Sequence, residues 1–177
     1  MTKDLMGIEK IDTIINAFLA KIDSSLCAEI DTDFSYWYKP HKISYAIVID
    51  EMSIKHFMNN FHRLAPDINC DPFLACLSHE IGHAQTCRLI DENEEMYCDN
   101  IKREINFEYC NNDVSDERDI ELHQKYFDLP DEYAATMWAI EYIRNNVDTI
   151  AAFWNELQTA IKEFYQMNEI EVDIIGS

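Results

Sequence analysis

Hydrophobic residues recur every three to four positions through most of this chain, which is helical spacing. Over residues 6–23, Ile8, Ile11, Ile14, Ile15, Phe18, Leu19 and Ile22 trace one apolar stripe, so an amphipathic helix is predicted there. The period then changes. Residues 34–38 (Phe-Ser-Tyr-Trp-Tyr) and 43–49 (Ile-Ser-Tyr-Ala-Ile-Val-Ile) are rich in aromatic and β-branched side chains and flank Lys39-Pro40-His41-Lys42. That is the pattern of a hairpin-like pair of strands. Helical spacing returns over residues 51–64, closed by Ala65-Pro66, and again after Asp71-Pro72, an N-cap residue followed by proline at the first helical position.

Two shorter helices are predicted around residues 92–110 and 115–127, joined by Asn111-Asn112-Asp113. Pro130 opens a further helix over residues 131–145. Another, over residues 148–167, carries Ile150, Phe153, Trp154, Leu157, Ile161 and Phe164. Residues 171–175 read as a last strand or a frayed tail. No repeat, linker or low-complexity segment interrupts this pattern. The expectation is an α+β chain: one mostly helical domain over residues 1–177 with a small β-sheet.

Composition supports a folded chain. Of 177 residues, 47% are hydrophobic, enough for a sizeable core, and nine Tyr, nine Phe and three Trp against three Gly argue against disorder. No apolar run approaches membrane-spanning length, and Met1-Thr2-Lys3-Asp4 lacks the layout of a signal peptide. A cytoplasmic location without membrane contact is therefore expected. None of the six cysteines falls in C-x-x-C spacing, so free thiols are expected, with Cys76 and Cys87 as packing residues.

The net charge of −20 opposes direct binding to nucleic acid, because affinity for a phosphate backbone depends on Lys and Arg displacing counterions. It favours a basic protein or peptide partner, unless it serves solubility alone. Acidic residues concentrate between Ala84 and Asp131, fourteen Asp and Glu against five Lys and Arg. Residues 91–131 read as a solvated acidic insertion rather than a dedicated docking surface. Nothing in the pattern specifies an oligomeric state.

The chemistry concentrates in Leu74-Ala75-Cys76-Leu77-Ser78-His79-Glu80-Ile81-Gly82-His83-Ala84, an H-E-x-x-H within an apolar helical segment. His79 and His83 lie one helical turn apart on the same face, a spacing that lets both imidazoles reach one metal ion. Glu80 beside them can take the proton of an attacking water. Burying two imidazoles and a carboxylate without a partner would be costly, which favours a metal over satisfied core histidines. Zinc is the expected ion.

A catalytic zinc takes three protein ligands and keeps one position open. A third histidine six residues after His83 is excluded, because that position is Leu89. A glutamate from a later helix is the other common solution. Glu132 opens Glu132-Tyr133-Ala134-Ala135-Thr136-Met137-Trp138-Ala139, whose small residues would allow close packing against the motif helix. Glu104, Glu108 and His123 are the alternatives. Tyr133, His123 and Tyr126 are candidates for stabilising an oxyanion.

H-E-I-G-H followed by E-Y-A-A-T-M-W-A resembles the paired signature of the ImmA/IrrE-type metallopeptidases, H-E-x-x-H and then E-x-x-A-x-x-F-A. Glu132, Ala135 and Ala139 match the second motif, and Trp138 replaces its aromatic. The likeness covers about residues 43–145, and the interval from His83 to Glu132 is longer than that pattern, owing to the acidic segment. The resemblance implies a zincin-like fold and a zinc-dependent endopeptidase, with His79, His83 and Glu132 as ligands and Glu80 as general base. Its implied substrate is a protein, typically a DNA-binding repressor. An edge strand at residues 43–49 is expected to hold such a substrate in extended form by β-addition.

Two other readings stand beside it. The acidic surface suits a non-catalytic binding protein, a nucleic-acid mimic or inhibitor of a basic partner, with zinc structural or vestigial. The intact glutamate between the histidines speaks against that, since a structural site needs ligands but no general base. A zinc hydrolase acting on something other than peptides is the third.

Overall fold

Asp71 accepts a hydrogen bond from the Phe73 backbone N–H at 2.8 Å, and Pro72 occupies the first helical position, so the motif helix begins where these two residues predict. The computed structural model describes residues 3–30, 37–39, 42–45 and 51–167. Among them the chain is mostly helical: α1 (Lys3–Ile22), α2 (Glu51–Leu64), α3 (Pro72–Thr86), α4 (Glu92–Asn111), α5 (Asp116–Phe127), α6 (Pro130–Asn145) and α7 (Val147–Met167). The helices fall within a few residues of the positions that the apolar spacing predicts. None of them is long and apolar enough to cross a membrane.

Among the described residues strand is confined to β1 (Cys27–Ile30), β2 (Trp37–Lys39) and β3 (Lys42–Tyr45), paired in the order β1-β3-β2. β2 runs antiparallel to β3 with Tyr38 opposite Ile43, while β1 runs parallel to β3 with Ala28 opposite Ile43. β3 is thus central, with a neighbour on each side. Over Lys42–Tyr45 it cannot be the free edge expected for β-addition, because its backbone groups are already engaged. Residues 34–36, 46–49 and 171–175, where strand was also expected, lie outside the described residues.

The chain divides into two compact units. One comprises residues 1–47 and 146–177. In it α1 packs on α7, with Phe18 stacked on Phe153 at 4.0 Å between ring centroids and Ile11, Ile15, Leu19 and Leu157 fully buried. Asn16 ties β1 to α1: its side-chain oxygen accepts from the Ala28 N–H at 2.8 Å and its amide donates to the Ala28 carbonyl at 3.0 Å.

The other unit, residues 48–145, contains α2 to α6 and every residue singled out for chemistry. Its core is the packing of α3 on α6, where Leu77, Ile81, Ala135, Ala139 and Ile140 are buried. Gly82 makes this approach possible. A Cβ placed on it would lie 2.3 Å from the Ala135 carbonyl oxygen, so the two backbones meet closer than any side chain at that position allows.

The acidic segment is more than a solvated insertion. Asp91 and Glu94 form a capping box that starts α4, and Ser115 caps α5. Their inward residues Cys98, Ile105, Leu122 and Phe127 are buried, and the acidic side chains occupy the outer faces. A helix of this kind needs only one apolar stripe to dock, and the charge count of the segment conceals it. Cys76 is buried as expected. Cys87 is exposed instead, because α3 ends at Thr86 and the thiol lies beyond the packed face.

Candidate metal centre

His79 and His83 project from the same side of α3, their rings edge to face with centroids 4.6 Å apart. The first turn of α6 brings Glu132 against both. Its Oε2 lies 3.1 Å from His79 Nε2 and 3.4 Å from His83 Nε2. In a tetrahedral site with zinc–ligand bonds of 2.0–2.2 Å, neighbouring ligand atoms are separated by about 3.3 Å. The two separations from Glu132 match that edge, and the three side chains form one of two groups among the described residues able to hold a metal ion, their ligand atoms all within 4.8 Å of one another.

Thr136 sets the orientation of His79. Its hydroxyl donates to the Glu132 backbone carbonyl at 2.8 Å, one turn back along α6. That leaves the oxygen's lone pairs for His79 Nδ1, 3.1 Å away, so Nδ1 carries the proton and donates. In a neutral imidazole with this tautomer, Nε2 has no proton and faces the Glu132 carboxylate with a lone pair. Two acceptors at 3.1 Å repel one another unless a proton or a cation lies between them. The arrangement calls for a positive charge where a zinc ion would sit.

The electrostatics agree. Glu132 is 2% exposed, and burial by itself would raise its pKa. Where a second proton occupies each imidazole and supplies that positive charge, hydrogen bonds from His79 and His83 outweigh burial and hold the carboxyl well below the usual range. Lys102 of α4 donates to Oε1, the other oxygen, at 2.6 Å and also pairs with Asp131. Burial works against the Lys102 charge, but the two carboxylates win and push its pKa up to about 12. His83 is likewise raised: desolvation lowers it, and the Glu132 hydrogen bond and charge more than offset that. Tyr126 of α5 sits against Glu132 as well, its hydroxyl pushed up first by burial and then by that carboxylate.

Comparison of the chain with family models, with curated proteins and with solved structures finds no match. The site therefore has to be read from its own geometry.

Glu80 follows His79 on α3, is 7% exposed, and has its pKa raised by burial against the lowering influence of the two histidine rings. A carboxyl moved toward neutrality in this way is a competent proton acceptor and donor. Of the alternatives for a third ligand, Glu104 is exposed and pairs with Lys125, and Glu108 pairs with Arg118. His123 contacts Asp119, Tyr109 and His56 rather than the α3 histidines. Tyr133, next to Glu132 on α6, is 45% exposed.

Thr136 and Lys102 escaped the sequence reading. Thr136 stands four residues after Glu132, on the same helical face, and that spacing could have marked it. No comparable signal marks Lys102, which reaches the site only through the packing of α4 on α6.

Proposed function

We propose that this chain is a zinc-dependent endopeptidase with a zincin-like site, of the kind the ImmA/IrrE resemblance implies, acting on peptide bonds of a basic protein substrate. The observation that carries the reading is the convergence of two imidazole nitrogens on one carboxylate oxygen, 3.1 and 3.4 Å away, with a second buried glutamate beside them. The donor set, two imidazoles and one carboxylate, is that of a catalytic zinc with one position left open. His79, His83 and Glu132 would hold the ion. When bound, zinc supplies Lewis acidity for polarising a carbonyl and making water a better nucleophile.

The protein's own groups do the rest. Glu80 accepts the proton of the attacking water and passes it to the leaving amine, for which its raised pKa suits it. Thr136 keeps the His79 Nε2 lone pair available, Lys102 steadies the Glu132 carboxylate at Oε1, the oxygen turned from the histidines, and Tyr126 hydrogen-bonds the same carboxylate. The net charge of −20 would draw a basic substrate toward the protein by long-range attraction.

The test is Glu80→Gln. Zinc content should remain that of the wild type, while cleavage of a basic protein substrate falls by at least about 100-fold, the usual scale for loss of a general base. Full activity in this variant would overturn the mechanism. If Glu80→Gln kept the protein's biological effect and neither form cleaved protein, the reading as an acidic binding protein would replace it.

A further inference from the structure

A second cluster of ligating side chains lies on α2 and α5, apart from the one just described. His56 Nε2 is 2.9 Å from Asp119 Oδ2, and His123 Nδ1 is 3.3 Å from Asp119 Oδ1. One ligand atom from each of the three residues falls within 4.8 Å of the others. The two imidazoles stack face to face, 4.0 Å between centroids and 13° from parallel. Tyr109 of α4 completes the arrangement, its hydroxyl donating to Asp119 Oδ1 at 2.7 Å and lying 3.0 Å from His123 Nδ1. His123 Nδ1 is also 2.9 Å from the Asp119 backbone carbonyl.

We propose that His56, Asp119 and His123 form a second metal site, for a divalent transition ion of the Zn²⁺ class, which pins the acidic segment's helix α5 to α2. The chemistry of the donor set gives the class of ion. Two imidazoles with one carboxylate suit zinc and its neighbours, whereas Mg²⁺ and Ca²⁺ call for oxygen ligands. The two separations, 2.9 and 3.3 Å to the two oxygens of Asp119, lie at or just below the roughly 3.3 Å edge of a tetrahedral zinc site, so small shifts suffice to share one ion. His123 Nδ1 donates to the Asp119 carbonyl, so an ion would displace that proton, and the stacked rings must tilt to aim both lone pairs at it, which the breadth of histidine χ2 allows. Tyr109 supplies the outer hydrogen bond that orients a ligating carboxylate.

The side chains of His56, Asp119 and His123 are 16%, 29% and 29% exposed, enough for an ion to enter and for water to complete its coordination. The site also has a structural purpose. Phe57, next to His56, lies edge-on to His79 at 5.2 Å and against Phe127 of α5. Fixing α5 to α2 thus fixes a wall of the first site.

The experiment counts zinc bound by the whole chain after chelation and reloading with Zn²⁺ alone. The wild type should hold two equivalents, and the His79→Ala/His83→Ala variant one. His123→Gln should also hold one, and the three substitutions together none, with circular dichroism confirming folded protein throughout. If His123→Gln does not fold, Asp119→Asn gives the same reading. A single equivalent in the wild type that disappears in His79→Ala/His83→Ala and persists in His123→Gln overturns the second site and leaves the first intact. The reverse pattern, one equivalent lost only with His123→Gln or Asp119→Asn, supports the second site and removes the first.

Discussion

The contact between Gly82 and Ala135 makes the proposed centre sensitive to a single methyl group. In Gly82→Ala the new Cβ would stand 2.3 Å from the Ala135 carbonyl oxygen and 2.9 Å from its carbonyl and α carbons. Ordinary contact begins near 3.4 Å, so α6 must recede from α3 by about 1 Å. Alanine inside a helix is favoured over glycine by about 1 kcal/mol. Overpacking a tight interface costs about 1–3 kcal/mol, and here the obstacle is backbone, which cannot rotate aside, so the upper end applies. The net expectation is a loss of about 2 kcal/mol, a fall in Tm of roughly 4–8 °C for a chain of this size.

Glu132 lies one turn before Ala135, so the same displacement carries its carboxylate away from His79 and His83. Zinc affinity should fall by about tenfold or more, the scale seen when the support of a metal ligand is disturbed. Thermal unfolding of the chelated protein and zinc titration against a competing chelator measure the two effects separately. A variant at least as stable as the wild type, with zinc affinity unchanged, would refute the argument. It would mean that helix propensity, rather than the α3–α6 approach, governs this position.

Thr136→Val keeps the volume but removes the acceptor for His79 Nδ1–H, and should weaken zinc binding about 10–100-fold with little change in overall helicity by circular dichroism. Lys102→Met removes the cation beside a buried carboxylate, so the chelated protein should lose about 1–3 kcal/mol in denaturant unfolding. With zinc loaded the loss should be smaller, because the ion supplies the missing charge, and by linkage zinc should bind the variant more tightly. The chelated wild type should also be more stable near pH 6 than near pH 8 by thermal melting. The raised pKa of His83 gives stability that is present below its ordinary value of 6.5 and lost as pH rises through the raised one. The depressed pKa of Glu132 gives stability present above 4.5 and lost only as pH falls through its lower folded value. A chelated protein more stable near pH 8 would contradict the His83 assignment, since the Glu132 contribution is constant over this range.

Much of the helical architecture was legible because apolar spacing and caps are local signals. Asp71-Pro72 and Pro130 each mark a helix start within a few residues of the chain they organise. The pair His79 and His83 was legible for the same reason, since one helical turn is enough to put both on one face. The pairing of β1 with β3 was not, because a four-residue strand carries little periodic signal and its partner is distant in sequence.

The sequence by itself thus determined the helices, the two histidines with the glutamate between them, and an acidic surface, all of which follow from spacing and charge along one stretch of backbone. Tertiary structure alone decided which carboxylate reaches the histidines. Glu132, Glu104 and Glu108 all lie on helices, and although the small residues after Glu132 favour it, local pattern leaves the other two open. Glu132 is placed there by the α3–α6 approach at Gly82 and Ala135, while Glu104 and Glu108 pair with surface cations. Packing also moved His123 into company with His56 and Asp119, and brought Lys102 and Thr136 to the ligands. Apart from the one-turn pairs Asp119–His123 and Glu132–Thr136, these are contacts across long intervals of chain, set by how faces fit together.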